Sequence, residues 1–215
     1  MEAGKQLSGV IFDLDGVICS TDEYHYEAWK RIADQEGVVF DRLINNRLRG
    51  VSRMASLEII LQKAHRPYTE EEKEALCSKK NALYRELLNQ MSPASVSPDV
   101  LLTLKSLRKK KIPMAIGSSS KNTMLILEKI GLDKAFDAIA DGNEITHSKP
   151  NPEVFLLAAK KLALPPEECL VVEDAESGLL AAKNGGFHSA GISPSAQSPL
   201  AEHSLSKLSD ILPLF

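Results

Sequence analysis

The chain is poor in every feature that marks a secreted, membrane-bound or nucleic-acid-binding protein. Cysteine is scarce: Cys19, Cys77 and Cys169 are the three thiols in 215 residues. They lie far apart, with no Cys-x-x-Cys pair and no histidine at zinc-ligand spacing, which argues against a disulfide framework or a structural zinc site. Reduced thiols of a cytoplasmic protein are expected. No apolar run approaches the roughly 20 residues that cross a bilayer. Met1 to Ser8 lacks the apolar stretch of a secretory signal. Excess charge is missing too. A net charge of -3 provides no overall basic field, so no nucleic-acid partner is expected. The basic run Arg108 to Lys111 reads as the solvated face of a helix. There is no internal repeat and no low-complexity segment. The expected molecule is soluble and monomeric.

What is present is ordinary globular material: 43% hydrophobic and 26% charged residues, enough for a sizeable core. Gly9 to Asp13 is an apolar run ending in a carboxylate, the pattern of a buried parallel strand. A helix opened by Ser20, Thr21 or Asp22 follows and stops near Gly37. From there to Met91 the pattern is helical only, with helices over Ser52–Ala64 and Thr69–Met91. The second opens on a Thr-Glu-Glu-Glu capping signal. Ser92 to Pro98, with two prolines, reads as a linker.

Beyond it, helices and strands alternate. Strands are predicted at Pro113–Gly117, Phe136–Ala140, Cys169–Glu173 and Phe187–Gly191. Helices are predicted at Val100–Lys110, Lys121–Ile130, Pro152–Leu162 and Ser177–Asn184. This alternation implies a doubly wound, Rossmann-like α/β core with a parallel sheet. The expected domains are a core of residues 1–18 and 93–215 and an inserted α-helical cap of residues 19–92. The Ser/Pro-rich tail after Gly191 and the polar segment 142–148 are individual, and neither is expected to touch a motif.

In doubly wound sheets, ligands bind beyond the carboxyl ends of the strands. Four such ends or their loops carry reactive groups: Asp13 and Asp15, Ser118, Lys149, and Glu173 with Asp174. A carboxylate held beside a cation can attack phosphorus, because the cation offsets its repulsion from phosphate. A second acid two residues on can protonate the leaving oxygen. Out of context, Asp15-Gly16 is only a turn and Glu173-Asp174 only a helix cap. Two adjacent acids after an apolar strand nevertheless need solvent, partners or a cation, and hard oxygen donors suit magnesium. Ser118, Ser119 and Ser120 at a helix start can cradle an anion, and Lys149 can neutralise it as a point charge.

Together these residues resemble the haloacid dehalogenase superfamily of phosphotransferases. Asp13-Leu14-Asp15-Gly16-Val17 matches its first motif, Ser118 the second, Lys149 the third and Glu173-Asp174 the fourth, in the family's order. The resemblance spans essentially the whole chain and puts a helical cap between the first two motifs. It implies that Asp13 is the nucleophile and Asp15 the general acid/base. Magnesium would sit on Asp13, the Asp15 main-chain oxygen, Glu173 and Asp174, while Ser118 and Lys149 hold the transferring phosphoryl group.

A finer resemblance, to superfamily members that isomerise β-glucose 1-phosphate and glucose 6-phosphate through a sugar bisphosphate, rests on four stretches. They are Phe12 to Ile18 with Thr21, Glu23-Tyr24-His25 and Ala28-Trp29-Lys30; Leu48 to Arg53; Lys80-Asn81; and Ser118 to Asn122 with Phe136 to Asp141. It implies that Gly50, Val51 and Ser52 line the sugar site and that Arg53 clamps the distal phosphate. It also implies that Ser119, Ser120, Lys121, Asn122 and Lys80 bind a sugar phosphate, and that His25 couples sugar binding to catalysis. Taken alone, His25 is a packing or surface residue, and Trp29 reads as cap core. A phosphatase with the same motifs, or a silent binder that has lost turnover, are the alternatives.

Overall fold

The computed structural model describes residues 7–48 and 51–215. Its chain forms two compact units, Met1–Ser20 with Met91–Phe215, and Thr21–Gln90. The first is an α/β unit and the second is helical. No helix among the described residues is long and apolar enough to cross a membrane.

The α/β unit is built on a six-stranded, all-parallel sheet. Its strands are β1 (Gly9–Phe12), β2 (Met114–Gly117), β3 (Ala138–Ala140), β4 (Cys169–Glu173), β5 (His188–Ile192) and β6 (His203–Leu205), in the order β3-β2-β1-β4-β5-β6. β1, β2 and β4 are buried along their whole length, which is why they read as unbroken apolar runs rather than as alternating ones. The register pairs Phe12 with Ile116 on one side and with Val172 on the other. Asp13, Ser118 and Glu173 therefore leave adjacent strands at the same end. The winding reverses at β1, between β2 and β4, the position at which such sheets bind ligands.

The helical unit contains α1 (Asp22–Gln35), α2 (Arg42–Asn46), α3 (Arg53–Leu61) and α4 (Glu70–Leu87), extended by a 3₁₀ turn at Leu88–Gln90. The Thr69-Glu72 signal forms a complete capping box at the start of α4, and Ser52 caps α3 through the Ala55 N–H. Trp29, Ile32, Phe40, Ile44, Leu57 and Ile60 make its core. Trp29 is thus a core residue, as its helical spacing implied. α2 was not anticipated. It has five residues capped by Asp41, too short to show a helical period.

The remaining helices flank the sheet: α5 (Pro98–Lys109), α6 (Thr123–Ile130), α7 (Glu153–Leu162) and α8 (Glu176–Asn184). Ile11, Ala115, Ala140 and Val171 pack against Val154, Phe155 and Ala158 of α7 and Ala181 of α8. The run Arg108–Lys111 is exposed, as expected of a solvated face; Arg108 pairs with Asp137, whose other oxygen accepts the Met114 N–H at the head of β2. β6 escaped sequence reading because His203-Ser204-Leu205 carries no apolar run. The tail before it is ordered as a 3₁₀ turn, Ser193–Gln197.

Candidate active site

β1 delivers Asp13, a buried residue, to the end of the sheet. The chain then turns through Asp15 and Gly16, with the Gly16 N–H donating to Cys19 O at 2.7 Å. Gly16 has φ +86°, and a Cβ there would lie 2.2 Å from Asp174 Oδ2. Only glycine combines that backbone with so close an approach to a carboxylate. The Asp15 N–H donates to Asp13 Oδ2 at 2.9 Å. This holds the two motif acids in one local arrangement.

Lys149 reaches into this centre. Its Nζ lies 2.5 Å from Asp13 Oδ1 and 2.5 Å from Glu173 Oε1, and all three residues are buried. Burial alone would lower the Lys149 ammonium, but Asp13 and Glu173 outweigh it and raise its pKa. Burial, aided by Asp13, pushes Glu173 up to about 7 against the pull of Lys149. One cation shared by two enclosed carboxylates leaves an excess negative charge, so the upward direction at Glu173 follows from simple charge counting. Glu173 Oε2 accepts the N–H groups of Asp174 and Ala175 at 3.0 and 3.1 Å.

Asp13, Glu173 and Asp174 each offer a carboxylate oxygen within 4.8 Å of the others. Hard, anionic oxygen donors so close together fit a magnesium ion and would hold it. Cys19, beside them, is no candidate nucleophile. Burial first, then the charges of Asp15 and Asp13, raise its thiol far above its ordinary range.

β2 delivers Ser118, also buried. The Ser120 N–H donates to Ser118 Oγ at 3.2 Å and the Asn122 N–H to Ser120 Oγ at 3.1 Å, a hydroxyl ladder leading into α6. Ser119 Oγ is buried and has no hydrogen-bond partner among the described residues. Asn122 is buried and Lys121 exposed. Small hydroxyls and backbone donors at a helix start are what an anion requires.

The other expected residues lie in the helical unit. Gly50 falls outside the described residues. Val51 and Ser52 are exposed just before α3. Arg53, at its first position, donates from Nη2 to Asn81 Oδ1 at 2.8 Å, and burial lowers its pKa. The Lys80 ammonium donates to His25 Nδ1 at 2.7 Å. It also lies 4.6 Å from the Tyr84 ring centre and 5.0 Å from that of Trp29. Enclosure, then the Lys80 and Arg53 cations, hold His25 well below the ordinary imidazole range. Nδ1 is therefore an acceptor and Nε2 carries the proton. Tyr84 stacks on His25 at 4.1 Å and donates its hydroxyl to Thr21 Oγ1 at 2.9 Å. Sequence reading singled out Lys80 and His25 but passed over Tyr84, one turn along α4 from Lys80.

Three other residues were missed. A Cβ at Gly178 would sit 1.9 Å from Glu173 Oε1, so this glycine makes the space for that carboxylate. Its position five residues after Glu173, in the next helix, was the available signal. Ser195, buried in the tail, donates its hydroxyl to the Glu173 main-chain oxygen at 2.7 Å. The Gly142 N–H donates to Ser120 O at 3.1 Å. The expectation that the tail and the 142–148 segment touch no motif is therefore wrong. Both pack against one through contacts that leave no local pattern.

The model of the haloacid dehalogenase-like hydrolases matches residues 7–186. A β-phosphoglucomutase of Bacillus subtilis is 41% identical over 188 residues, which cover 86% of this chain and 83% of that protein. A phosphorylated carbohydrates phosphatase of Thermotoga maritima is 30% identical, covering 84% of this chain and 82% of that protein. The crystal structure of a β-phosphoglucomutase from Clostridium difficile superposes with a TM-score of 0.89 at 33% identity, over 96% of this chain and 93% of that one. With its parallel sheet and helical insert, and with the family's model matched over residues 7–186, the chain belongs to the haloacid dehalogenase-like hydrolase family.

Proposed function

We propose that this protein is a β-phosphoglucomutase, interconverting β-glucose 1-phosphate and glucose 6-phosphate through an aspartyl-phosphate on Asp13 and β-glucose 1,6-bisphosphate. The observation that carries the reading is the cationic set of the helical unit. Arg53 and Lys80 stand with a His25 kept neutral, in a chain 41% identical to a β-phosphoglucomutase. A phosphate at one end of a sugar needs such cations when its other end is the site of transfer.

In this reading the α/β unit performs the transfer and the helical unit, as its cap, recognises the sugar phosphate. A carboxylate oxygen of Asp13 attacks one phosphorus of the bisphosphate, and the bond from that phosphorus to the sugar oxygen breaks, leaving a glucose monophosphate. Asp15 gives its proton to the departing oxygen. In the return step Asp15 takes the proton from the free hydroxyl of a glucose monophosphate as that oxygen attacks the aspartyl-phosphate, which forms the 1,6-bisphosphate and releases Asp13. Ser118 and Lys149 hold the phosphoryl oxygens. Arg53 clamps the distal phosphate. Val51 and Ser52, with Gly50, line the sugar, and Lys80 with Ser119, Ser120, Lys121 and Asn122 adds polar contacts. Asp13, the Asp15 main-chain oxygen, Glu173 and Asp174 would hold a magnesium ion, which would supply positive charge against the phosphate.

Incubation with β-glucose 1-phosphate, magnesium and a trace of β-glucose 1,6-bisphosphate tests the proposal. Glucose 6-phosphate is the expected product. Free phosphate without glucose 6-phosphate would replace the mutase by a sugar-phosphate phosphatase. That second reading draws on the 30% identity to the Thermotoga phosphatase and uses the same core residues with water as acceptor.

A further inference from the structure

The polar loop after β3, residues 141–146, performs no chemistry in the reading above, yet it is wired into the serine loop after β2. We infer that Asp141, Gly142 and Asn143 form a brace that sets the direction of the backbone N–H groups at residues 121 and 122, making Asn143 a positioning residue for phosphoryl binding. The inference rests on the proposal that the Ser118–Asn122 loop receives a phosphoryl group.

The wiring is specific. The Asn143 side-chain amide donates to Lys121 O at 3.1 Å and to Asp141 Oδ2 at 3.1 Å, and the Asn143 N–H donates to Asp141 Oδ1 at 2.8 Å. Asp141, a buried residue, thus holds Asn143 twice, one oxygen on its main-chain N–H and the other on its side-chain amide. The Gly142 N–H donates to Ser120 O, which also accepts the Thr123 hydroxyl at 2.9 Å. A Cβ at Gly142 would lie 2.2 Å from Ser119 O, so only glycine allows the two loops to approach this closely.

The far side of the brace is anchored as well. The Asp141 N–H donates to Glu144 Oε1, Lys161 pairs with Glu144, and the same ammonium reaches Ile139 O at 2.5 Å.

A trans peptide is planar, with its C=O and N–H on opposite sides. Holding the carbonyls of Ser120 and Lys121 against the 141–143 loop turns the N–H groups of Lys121 and Asn122 the other way. The Asn122 N–H indeed points to Ser120 Oγ, on the side of the hydroxyl ladder. A phosphoryl oxygen bound there meets the Lys121 N–H and the Ser120 hydroxyl, whose oxygen the Asn122 N–H already fixes, with no loop ordering to offset. Released from the brace, the same loop would have to order itself at each binding event.

Calorimetric titration of the protein with orthovanadate, in saturating magnesium, reads this directly. Asn143 is exposed, so Asn143→Ala removes the aimed amide without opening a core. It is expected to weaken vanadate binding about tenfold, the effect of one positioning hydrogen bond, with magnesium affinity unchanged. Gly142→Ala should do the same by pushing on Ser119. If it fails to fold, Asn143→Ala decides alone. Vanadate affinity of folded Asn143→Ala within twofold of the native value would overturn the brace. If the native protein takes up no vanadate at all, the phosphoryl reading of the loop fails and the brace fails with it.

Discussion

Lys149 Nζ lies 2.5 Å from Asp13 Oδ1 in a buried centre, and the same ammonium is shared with Glu173. It is the counter-charge that lets two carboxylates stand together before any cation or phosphate arrives. Lys149→Met should lower turnover about 10²–10³-fold, as loss of a buried group that stabilises transferred charge does. It should also destabilise the magnesium-free protein by about 3–5 kcal/mol, because both carboxylates lose their partner. Without the ammonium, Glu173 titrates above its native value of about 7. A carboxyl whose folded pKa is raised loses stability as pH rises from its unfolded value towards the folded one. The gap between variant and native should therefore widen as pH climbs past 7. Denaturant titrations in EDTA at pH 6 and 8 measure this. An equal gap at both values would contradict the shared-cation account.

Gly178→Ala should weaken magnesium binding and, because a displaced Glu173 leaves Lys149, also lower stability. The new methyl would fall 1.9 Å from Glu173 Oε1, so the carboxylate must swing away from its position beside Asp13 and Asp174. Magnesium affinity by calorimetry should fall about tenfold or more, in line with loss of outer support for a metal ligand. Activity should recover at high magnesium. Unchanged affinity would mean that Glu173 has another rotamer that still reaches the ion.

Much of this was legible in the sequence because burial on both faces leaves a continuous apolar run. β1 and β4 announced themselves, and with them the strand ends that carry Asp13 and Glu173. Apolar spacing located α3, and a capping signal α4, to within a residue at their starts. α2 and β6 were invisible, having five and three residues and no period to display. In the site, each residue that acts from a strand end was readable. His25 and Lys80, 55 positions apart, came only through resemblance, since nothing local links them. Ser195, Gly142 and Asn143 act by touching backbone atoms of distant loops, and a hydrogen bond to a carbonyl imposes no pattern on the sequence around it.

Ser195→Ala tests whether the tail supports the centre. The Ser195 hydroxyl donates to both Glu173 O and Ile192 O, at 2.7 and 3.2 Å, inside the protein. Its removal leaves the Glu173 carbonyl short of a buried donor and should cost about 1–3 kcal/mol. Thermal unfolding of the variant measures the cost. A loss below a few tenths would mean that water takes over the role of the hydroxyl.

The His25–Lys80 pair makes a prediction about pH. An imidazole in the unfolded chain titrates near 6.5, whereas in the folded helical unit His25 is held well below that by enclosure, Lys80 and Arg53. Between the two values the unfolded chain binds a proton that the folded one refuses, so stability falls as pH drops below about 6.5. The slope reaches at most about 1.4 kcal/mol per pH unit for this one group. His25→Gln, which keeps an acceptor near Lys80 but cannot titrate, should lose less stability than the native protein between pH 6.5 and 5. Ring resonances of His25 followed by NMR should stay those of the Nε2-protonated neutral form throughout that range. A midpoint at 6 or above would show that the ring is charged in the folded protein. Lys80 could then no longer donate to Nδ1, and the geometry of the pair would have to be a different one.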